Sequence, residues 1–450
     1  MLSRGFAGVQ LRQAARLVVV PAKSDTKFLH RSSFQLACIP APNMESSRPG
    51  PPSKRQRTAV EVAGVTPRHE AGKTFNVPGL VVREHTFTVP LDYSGQAGPF
   101  QGQTITLFAR ELLSPARNEN LPFLLYLQGG PGFEGPRPCE ASIWIRSAVN
   151  SHRVVLLDQR GTGRSTPITT TNLAKRGGPG EQAAYLALFR ADNIVRKWAV
   201  LGQSFGGFCV VTYLSQAPEG LMEALITGGL PPGVSQPCAA EQVYAALHKR
   251  VLTLTPRLFQ TLGLSGLGSG GGFERLHYLL ESFFDADEEM TPAFAKAFES
   301  WYSWEAGAVA CRWAADRVRD SSAFSAAFDA VAAAREGRPV MFTGECVYRF
   351  MYDDLASLRP FKATADLLAE KADWGPLYDT AVLGQNRVPV AALSYVDDLY
   401  VDYNLSMETA AAIKGVKLWV TNEYRHSGIR EDGQRIFERL LGLARNAVFN

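Results

Sequence analysis

The sequence predicts an α/β architecture, a mostly parallel central sheet with a block of helices inserted between two of its strands. Three observations carry this. Pro122-Phe-Leu-Leu-Tyr-Leu127 and Arg153-Val-Val-Leu-Leu-Asp158 are nearly continuous apolar runs, the pattern of strands covered on both faces, and each ends in a glycine-bearing loop. Trp198-Ala-Val-Leu201, Leu221-Met-Glu-Ala-Leu-Ile-Thr-Gly-Gly229 and Val388-Pro-Val-Ala-Ala-Leu-Ser394 continue the series, with a last strand in the run Val416-Lys-Leu-Trp-Val-Thr-Asn-Glu-Tyr-Arg-His426, ahead of its histidine. From 233 to 385 the strand rhythm lapses and the chain reads as mostly helical, with a glycine-rich turn at Gly266 to Gly272, as a cap inserted over a sheet would.

Composition narrows the function. A chain of 450 residues can bury a large core, and its net charge of +4, without a basic stripe interleaved with aromatics, argues against nucleic acid as a partner. Cysteines 38, 139, 209, 238, 311 and 346 are scattered, with no CxxC or His/Cys ligand spacing. They read as free thiols in a reducing compartment, and no metal site is indicated. No apolar run approaches the length of a membrane span, so a soluble protein is expected, with no membrane partner.

Residues 1–76 read as a leader outside the fold, rich in Pro, Ser and Arg and without periodicity. Up to Met44 the only acidic residue is Asp25, against six Arg and Lys, and Leu17-Val-Val-Val20 supplies an apolar patch. That resembles an organelle transit peptide; the other reading is a solvated tail, with translation starting at Met44. The expected location is cytoplasmic or organellar. The fold is expected from 77, with a first core part at 77–232, the cap at 233–385 and a second core part at 386–450. His85–Tyr93 and Gln103–Glu111 alternate apolar and polar residues around Ser94-Gly-Gln-Ala-Gly98, an antiparallel pair. Glu181 to Lys197 is helical in pattern and leads into the strand at Trp198.

Chemistry concentrates in Gly202-Gln-Ser-Phe-Gly-Gly207, a G-x-S-x-G nucleophile elbow. A serine on a strained turn between strand and helix needs neighbours without bulk two residues before and after it, so that the backbone can pass closely. Phe208 to Ala217 follows as a buried helix whose N-terminus would favour developing negative charge at Ser204. Gln128-Gly-Gly-Pro-Gly132 can turn Gly129 and Gly130 N–H groups toward an oxyanion. Asp158-Gln-Arg-Gly-Thr-Gly-Arg-Ser165 carries two arginines and an acid close together and reads as an ion-pair and hydrogen-bond network bracing the site. Past one late strand lie Asp397 and Asp398, between which the sequence does not choose; past the next lies His426, before Ser427-Gly428. Ser, Asp, His is the chain order of the α/β-hydrolase triad.

Taken together, these motifs resemble the proline iminopeptidase (prolyl aminopeptidase) family, a branch of the α/β-hydrolase fold with a mostly parallel sheet and an inserted helical cap. The resemblance runs from about 77 to 447 and adds Phe342-Thr-Gly-Glu-Cys-Val-Tyr348 and Asn422-Glu-Tyr-Arg-His-Ser-Gly428 to the motifs above. It implies a cofactor-free serine exopeptidase that releases N-terminal proline from peptides with a free N-terminus. By that similarity Ser204 is the nucleophile, His426 the base and Asp398 the acid, with Asp397 as fallback; Gly129, Gly130 and Phe205 N–H form the oxyanion hole. Glu345, in its Gly-Glu-x-x-Tyr context, matches a cap glutamate that holds the substrate ammonium, the alternative being a structural salt bridge. Two departures stand out: only Arg196-Lys197 separate the Phe189–Val195 segment from the nucleophile strand, where the family carries a further helical stretch, and the cap is short before Cys311. An esterase or small-molecule hydrolase, or a non-catalytic binding protein of the same fold, are the rival expectations. Oligomeric state is left open.

Overall fold

The computed structural model describes residues 68–92, 99–116, 118–130, 132–189, 198–235 and 377–448, and within the cap span 262, 271–283, 291, 294, 297, 330–336, 349–354 and 358–371. Nine strands form one sheet: β1 Arg68–Val77, β2 Leu80–Pro90, β3 Thr104–Leu113, β4 Phe123–Leu127, β5 Arg153–Asp158, β6 Trp198–Gln203, β7 Leu221–Thr227, β8 Val390–Tyr395 and β9 Val416–Thr421. Their spatial order is β1-β2-β3-β5-β4-β6-β7-β8-β9. The pairings β1 to β2, β2 to β3 and β3 to β5 are antiparallel, and all later ones are parallel.

The apolar runs are continuous because both faces of the sheet are covered. Leu124, Tyr126, Ala199, Leu201, Leu225, Ala391 and Leu393 turn to one face, against helices α1 Ile143–Ala148 and, near the C-terminus, Gly433–Ala444. Their strand neighbours Leu125, Leu127, Val200, Ala224, Ile226 and Ala392 turn to the other, against the helix Phe205–Gln216 that follows the elbow. A two-residue period sends successive apolar residues of these strands to opposite cores, and each fully buried Leu or Val contributes roughly 1.5–3 kcal/mol. Other named helices are α2 Pro179–Ala187, α3 Phe205–Gln216, α4 Lys362–Glu370, α5 Tyr403–Ala412, α6 Gly428–Glu431 and α7 Gly433–Ala444.

Several boundaries differ from the sequence reading, each for a physical reason. The sheet begins at Arg68, inside the stretch assigned to the leader, because β1 pairs with β2 through its backbone while nine of its ten residues stay exposed and give no apolar signal. The helix expected over Glu181–Lys197 is α2, Pro179–Ala187, opened by Pro179 at its first position and capped by Leu188; residues 190–197 lie outside the described residues. Instead of covering the central sheet, α2 packs on α4: Tyr185 and Leu186 share a third core with Val89, Leu91, Ile105, Phe361 and Leu368, and Thr364 Oγ1 donates to Gln182 Oε1 at 2.6 Å. Described pieces of the 233–385 span are helical at Gly272–Glu281, Ala330–Arg335, Met351–Asp354, α4 and Thr380–Leu383. Most of the leader, residues 1–67, lies outside the described residues. No helix among the described residues is long and apolar enough to cross a membrane.

Candidate active site

Four strands of the parallel region, β4, β6, β8 and β9, deliver their C-terminal loops to one place. β6 ends at Gln203, and Ser204 follows with φ 54° and ψ −125°, one of two non-glycine residues at positive φ among the described residues. Such a conformation costs of order 1–3 kcal/mol and persists only where its surroundings force it. Here three glycines do so. A Cβ on Gly202 would overlap Gly206 O, one on Gly206 would overlap Leu127 O, and one on Gly207 would overlap Gly229 O. The turn is thus squeezed between β4 and the end of β7, and Ser204 N is tied to Thr227 O at 3.0 Å. α3 starts at Phe205, three residues earlier than its apolar run suggested, so its first turn begins at the serine. Its polar members Thr212 and Ser215 donate to carbonyls one turn back, which lets nearly the whole helix be buried.

Beyond β8 the chain turns sharply, leaving Asp397 exposed and Asp398 2% exposed. The Asp398 carboxylate accepts from Tyr400 N at 2.8 Å and Val401 N at 3.0 Å, both through Oδ1. His426, delivered by the loop after β9 and 5% exposed, places Nδ1 2.8 Å from Asp398 Oδ2 and 3.0 Å from Oδ1. An ionised carboxylate only accepts, so Nδ1 carries the hydrogen and Nε2 is the acceptor, the tautomer a general base needs. The Tyr400 ring meets the imidazole edge-on at 4.8 Å between centroids. Asp398 is therefore the partner of His426, and Asp397 is not.

Glycines bring the serine and the acid into one neighbourhood. Gly228, at φ 52°, lies where a Cβ would be 3.4 Å from Asp398 Oδ2 and 2.9 Å from Tyr395; a Cβ on the adjacent Gly229 would overlap Ser204 O. Tyr395 is fully buried between Gly228 and Gly428, bonded to Thr227 Oγ1 at 2.7 Å, and burial pushes its hydroxyl pKa well up, so it stays neutral. Sequence reading missed Gly228, Gly229 and Tyr395; the Thr227-Gly-Gly229 triplet directly after a strand was the available signal for a close backbone approach.

The loop after β4 reaches the serine from the other side. A Cβ on Gly129 would stand 2.8 Å from Ser204 Cβ and 3.5 Å from Oγ, and Gly130 adopts φ 140°, a backbone that only glycine takes readily. Phe205, whose N–H the resemblance assigns to the oxyanion hole, is half-buried at the start of α3. Glu345 and the Phe342–Tyr348 motif lie outside the described residues.

The loop after β5 braces the site in a different manner from that read in the sequence. Asp158 does not pair with the guanidinium of Arg160 or Arg164; it is fully buried and takes Arg137, from the loop after β4, in a two-pronged contact at 2.7 Å each, with Gly135 N at 3.1 Å and Arg164 N at 2.8 Å. Arg164 turns outward to Glu84 at 2.6 Å and over the Phe108 ring, and Arg160 reaches Leu91 O. Among the described residues Cys139 and Cys209 are free thiols, and burial beneath the elbow pushes the Cys209 thiol up to about 12, which leaves it inert as a nucleophile. No group of three His, Cys, Asp or Glu among the described residues is arranged to hold a metal ion.

Comparison with known proteins gives the geometry a context. Residues 122–255 match the model of the alpha/beta hydrolase fold. The chain is 41% identical over 431 positions to a proline iminopeptidase of Aeromonas sobria, covering 82% of this chain and 97% of that one. The chain belongs to the proline iminopeptidase family. A second member of that family, from Aspergillus aculeatus, is 32% identical, covering 81% of this chain and 94% of its own. The 431 positions aligned with the Aeromonas protein take in 82% of 450 residues, about 369, so about 60 of them have no counterpart in this chain. Among solved structures, a 2-hydroxy-6-oxo-6-phenylhexa-2,4-dienoate hydrolase of Rhodococcus covers 76% of this chain and 95% of its own at 15% identity, with a TM-score of 0.36, a likeness that adds nothing to the argument.

Proposed function

We propose that this chain is a serine aminopeptidase that releases N-terminal proline from peptides through an acyl-enzyme, with Ser204, His426 and Asp398 as its catalytic residues. The observation that supports it most is the buried Asp398–His426 pair, at 2.8 Å, in the same neighbourhood as the strained Ser204 of a proline iminopeptidase family member. His426 Nε2 takes the hydroxyl proton as Ser204 Oγ attacks the scissile carbonyl; Asp398 holds the resulting imidazolium in place. Backbone N–H groups of Phe205 and the Gly129–Gly130 loop receive the oxyanion, and the α3 N-terminus adds favourable potential. His426 then gives its proton to the leaving amine, the C–N bond breaks, and water activated by the same imidazole hydrolyses the prolyl ester.

Selectivity for a free N-terminus calls for a carboxylate that pairs with the substrate ammonium, since only an exopeptidase substrate brings a cation to that position. By the family resemblance Glu345 is assigned to it. The test uses the purified chain with proline p-nitroanilide and a fluorophosphonate probe. Turnover and labelling are expected together, and Ser204→Ala abolishes both; Glu345→Gln removes aminopeptidase turnover but leaves hydrolysis of p-nitrophenyl acetate. A chain that labels and cleaves esters while ignoring every N-terminal prolyl amide would exclude the aminopeptidase reading.

A further inference from the structure

We propose that Gln159 is a positioning residue for the oxyanion loop, aiming the Gly129 N–H by holding the carbonyl of Gln128. The proposal rests on the serine-hydrolase reading above. Gln159 Nε2 donates to Gln128 O at 2.6 Å, and because a backbone carbonyl can only accept, the nitrogen end of the amide is the one that faces it. The peptide joining Gln128 to Gly129 is planar and trans, so its C=O and N–H point in opposite directions, and a group that pins one aims the other. Gly129 is the residue that abuts Ser204. Rotation of this single peptide plane therefore decides whether the N–H faces a developing oxyanion.

Gln159 is itself anchored. Its backbone carbonyl accepts from Thr162 N at 3.0 Å and Thr162 Oγ1 at 2.8 Å. The preceding residue, Asp158, clamps the far end of the same loop through Gly135 N and Arg137. Segment 128–137 is thus tied at both ends to two consecutive residues. The Gln128 side chain points elsewhere, to the buried Tyr126 hydroxyl at 3.1 Å, which also meets Gln203 Oε1 at 3.0 Å beside the nucleophile.

The test compares the full chain with Gln159→Met and Gln159→Glu, which keep the length and remove the donor, and with Gln159→Lys, which restores one. Turnover of proline p-nitroanilide and p-nitrophenyl acetate, inhibition by pyrrolidine-2-boronic acid, which forms a tetrahedral serine adduct, and inhibition by free proline are measured, with thermal melts. Expected for the Met and Glu variants is a kcat loss of about 10- to 100-fold with KM within about threefold, and boronate affinity weakened in step while proline inhibition holds. Gln159→Lys should recover several-fold over Gln159→Met. Retained kcat in both donorless variants overturns the proposal, as does a loss that leaves boronate affinity intact or a lysine variant no better than the methionine one. If the parent cleaves the ester but not the prolyl anilide, the aminopeptidase reading fails, and the same comparison on ester turnover still decides the role of Gln159.

Discussion

Replacing Asp398 by asparagine tests the acid–base pair most directly, because the structure dictates how the new side chain must sit. Oδ1 of Asp398 accepts two backbone N–H bonds, from Tyr400 and Val401. An asparagine NH2 in that position would face two donors, so its carbonyl oxygen takes the Oδ1 place and its NH2 turns to His426 Nδ1, which stood 2.8 Å from Oδ2. Donor then meets donor, and Nδ1 must give up its hydrogen. The proton moves to Nε2, where the base is needed, and the imidazolium loses its buried counter-charge. A change of this kind costs about 10⁴ in kcat, or roughly 5 kcal/mol of transition-state stabilisation, with the fold kept because both backbone bonds survive. The assay is steady-state hydrolysis of proline p-nitroanilide from pH 6 to 9, with circular dichroism as the folding control. Asp397→Asn, at an exposed position, should stay within about twofold of the parent. A folded Asp398→Asn enzyme that keeps more than a tenth of the parent kcat would refute the pairing.

Other expectations follow from packing, strain and charge. Ser204→Gly should be inactive yet more stable by about 1 kcal/mol, since the relief of the positive-φ strain exceeds the entropy glycine adds to the unfolded chain, whereas Ser204→Ala keeps the strain; melts of the two variants separate these effects. Gly206→Ala should cost several kcal/mol or prevent accumulation of folded protein, because its Cβ would overlap the Leu127 carbonyl, as expression and chemical denaturation will report. Burial would raise the Glu223 carboxyl, but hydrogen bonds from His152 and Arg445 overcome it and hold the group down at about 2. Stability from this cluster is therefore complete above the ordinary carboxyl range near 4.5 and drains away as pH falls from there toward 2. The gap in melting temperature between the parent and Glu223→Gln should be widest near neutrality and shrink over that acidic window; a constant gap counts against the linkage.

How much was legible in the sequence depended on whether a residue's role was written in its neighbours. β5 was placed to the residue, since a strand covered on both faces announces itself as a nearly unbroken apolar run, whereas β7 ends at Thr227, two residues before the Gly229 read from the sequence. β1 was missed because it is joined to β2 mainly by backbone bonds, with His69 against His85 and Phe87, and side chains facing water carry no pattern. Ser204 stood out through its own glycines, and His426 through its place after a strand. Asp397 and Asp398 could not be told apart: past the end of β8 the chain is a turn, where no period says which side chain faces inward, and only the backbone N–H groups of Tyr400 and Val401 settle it. Tyr395 and Gln159 were invisible for a related reason, as each works on residues far along the chain, Gly428 and Gln128, that only the folded sheet brings near. The arginines of the Asp158 loop misled, because proximity in sequence says nothing about which way long side chains turn.

The outermost strand has a consequence for handling the protein. β1 exposes nearly all its side chains, carries Arg68, His69, Glu70 and Lys73, and slips register between Ala71 and Thr74. A charged, irregular rim of this kind is a poor template for a neighbouring molecule's strand. Trimming the chain to begin at Val77 would strip that guard and leave the regular, partly apolar β2 as the open border of the sheet, so the shortened protein should self-associate at concentrations where the longer one stays dispersed.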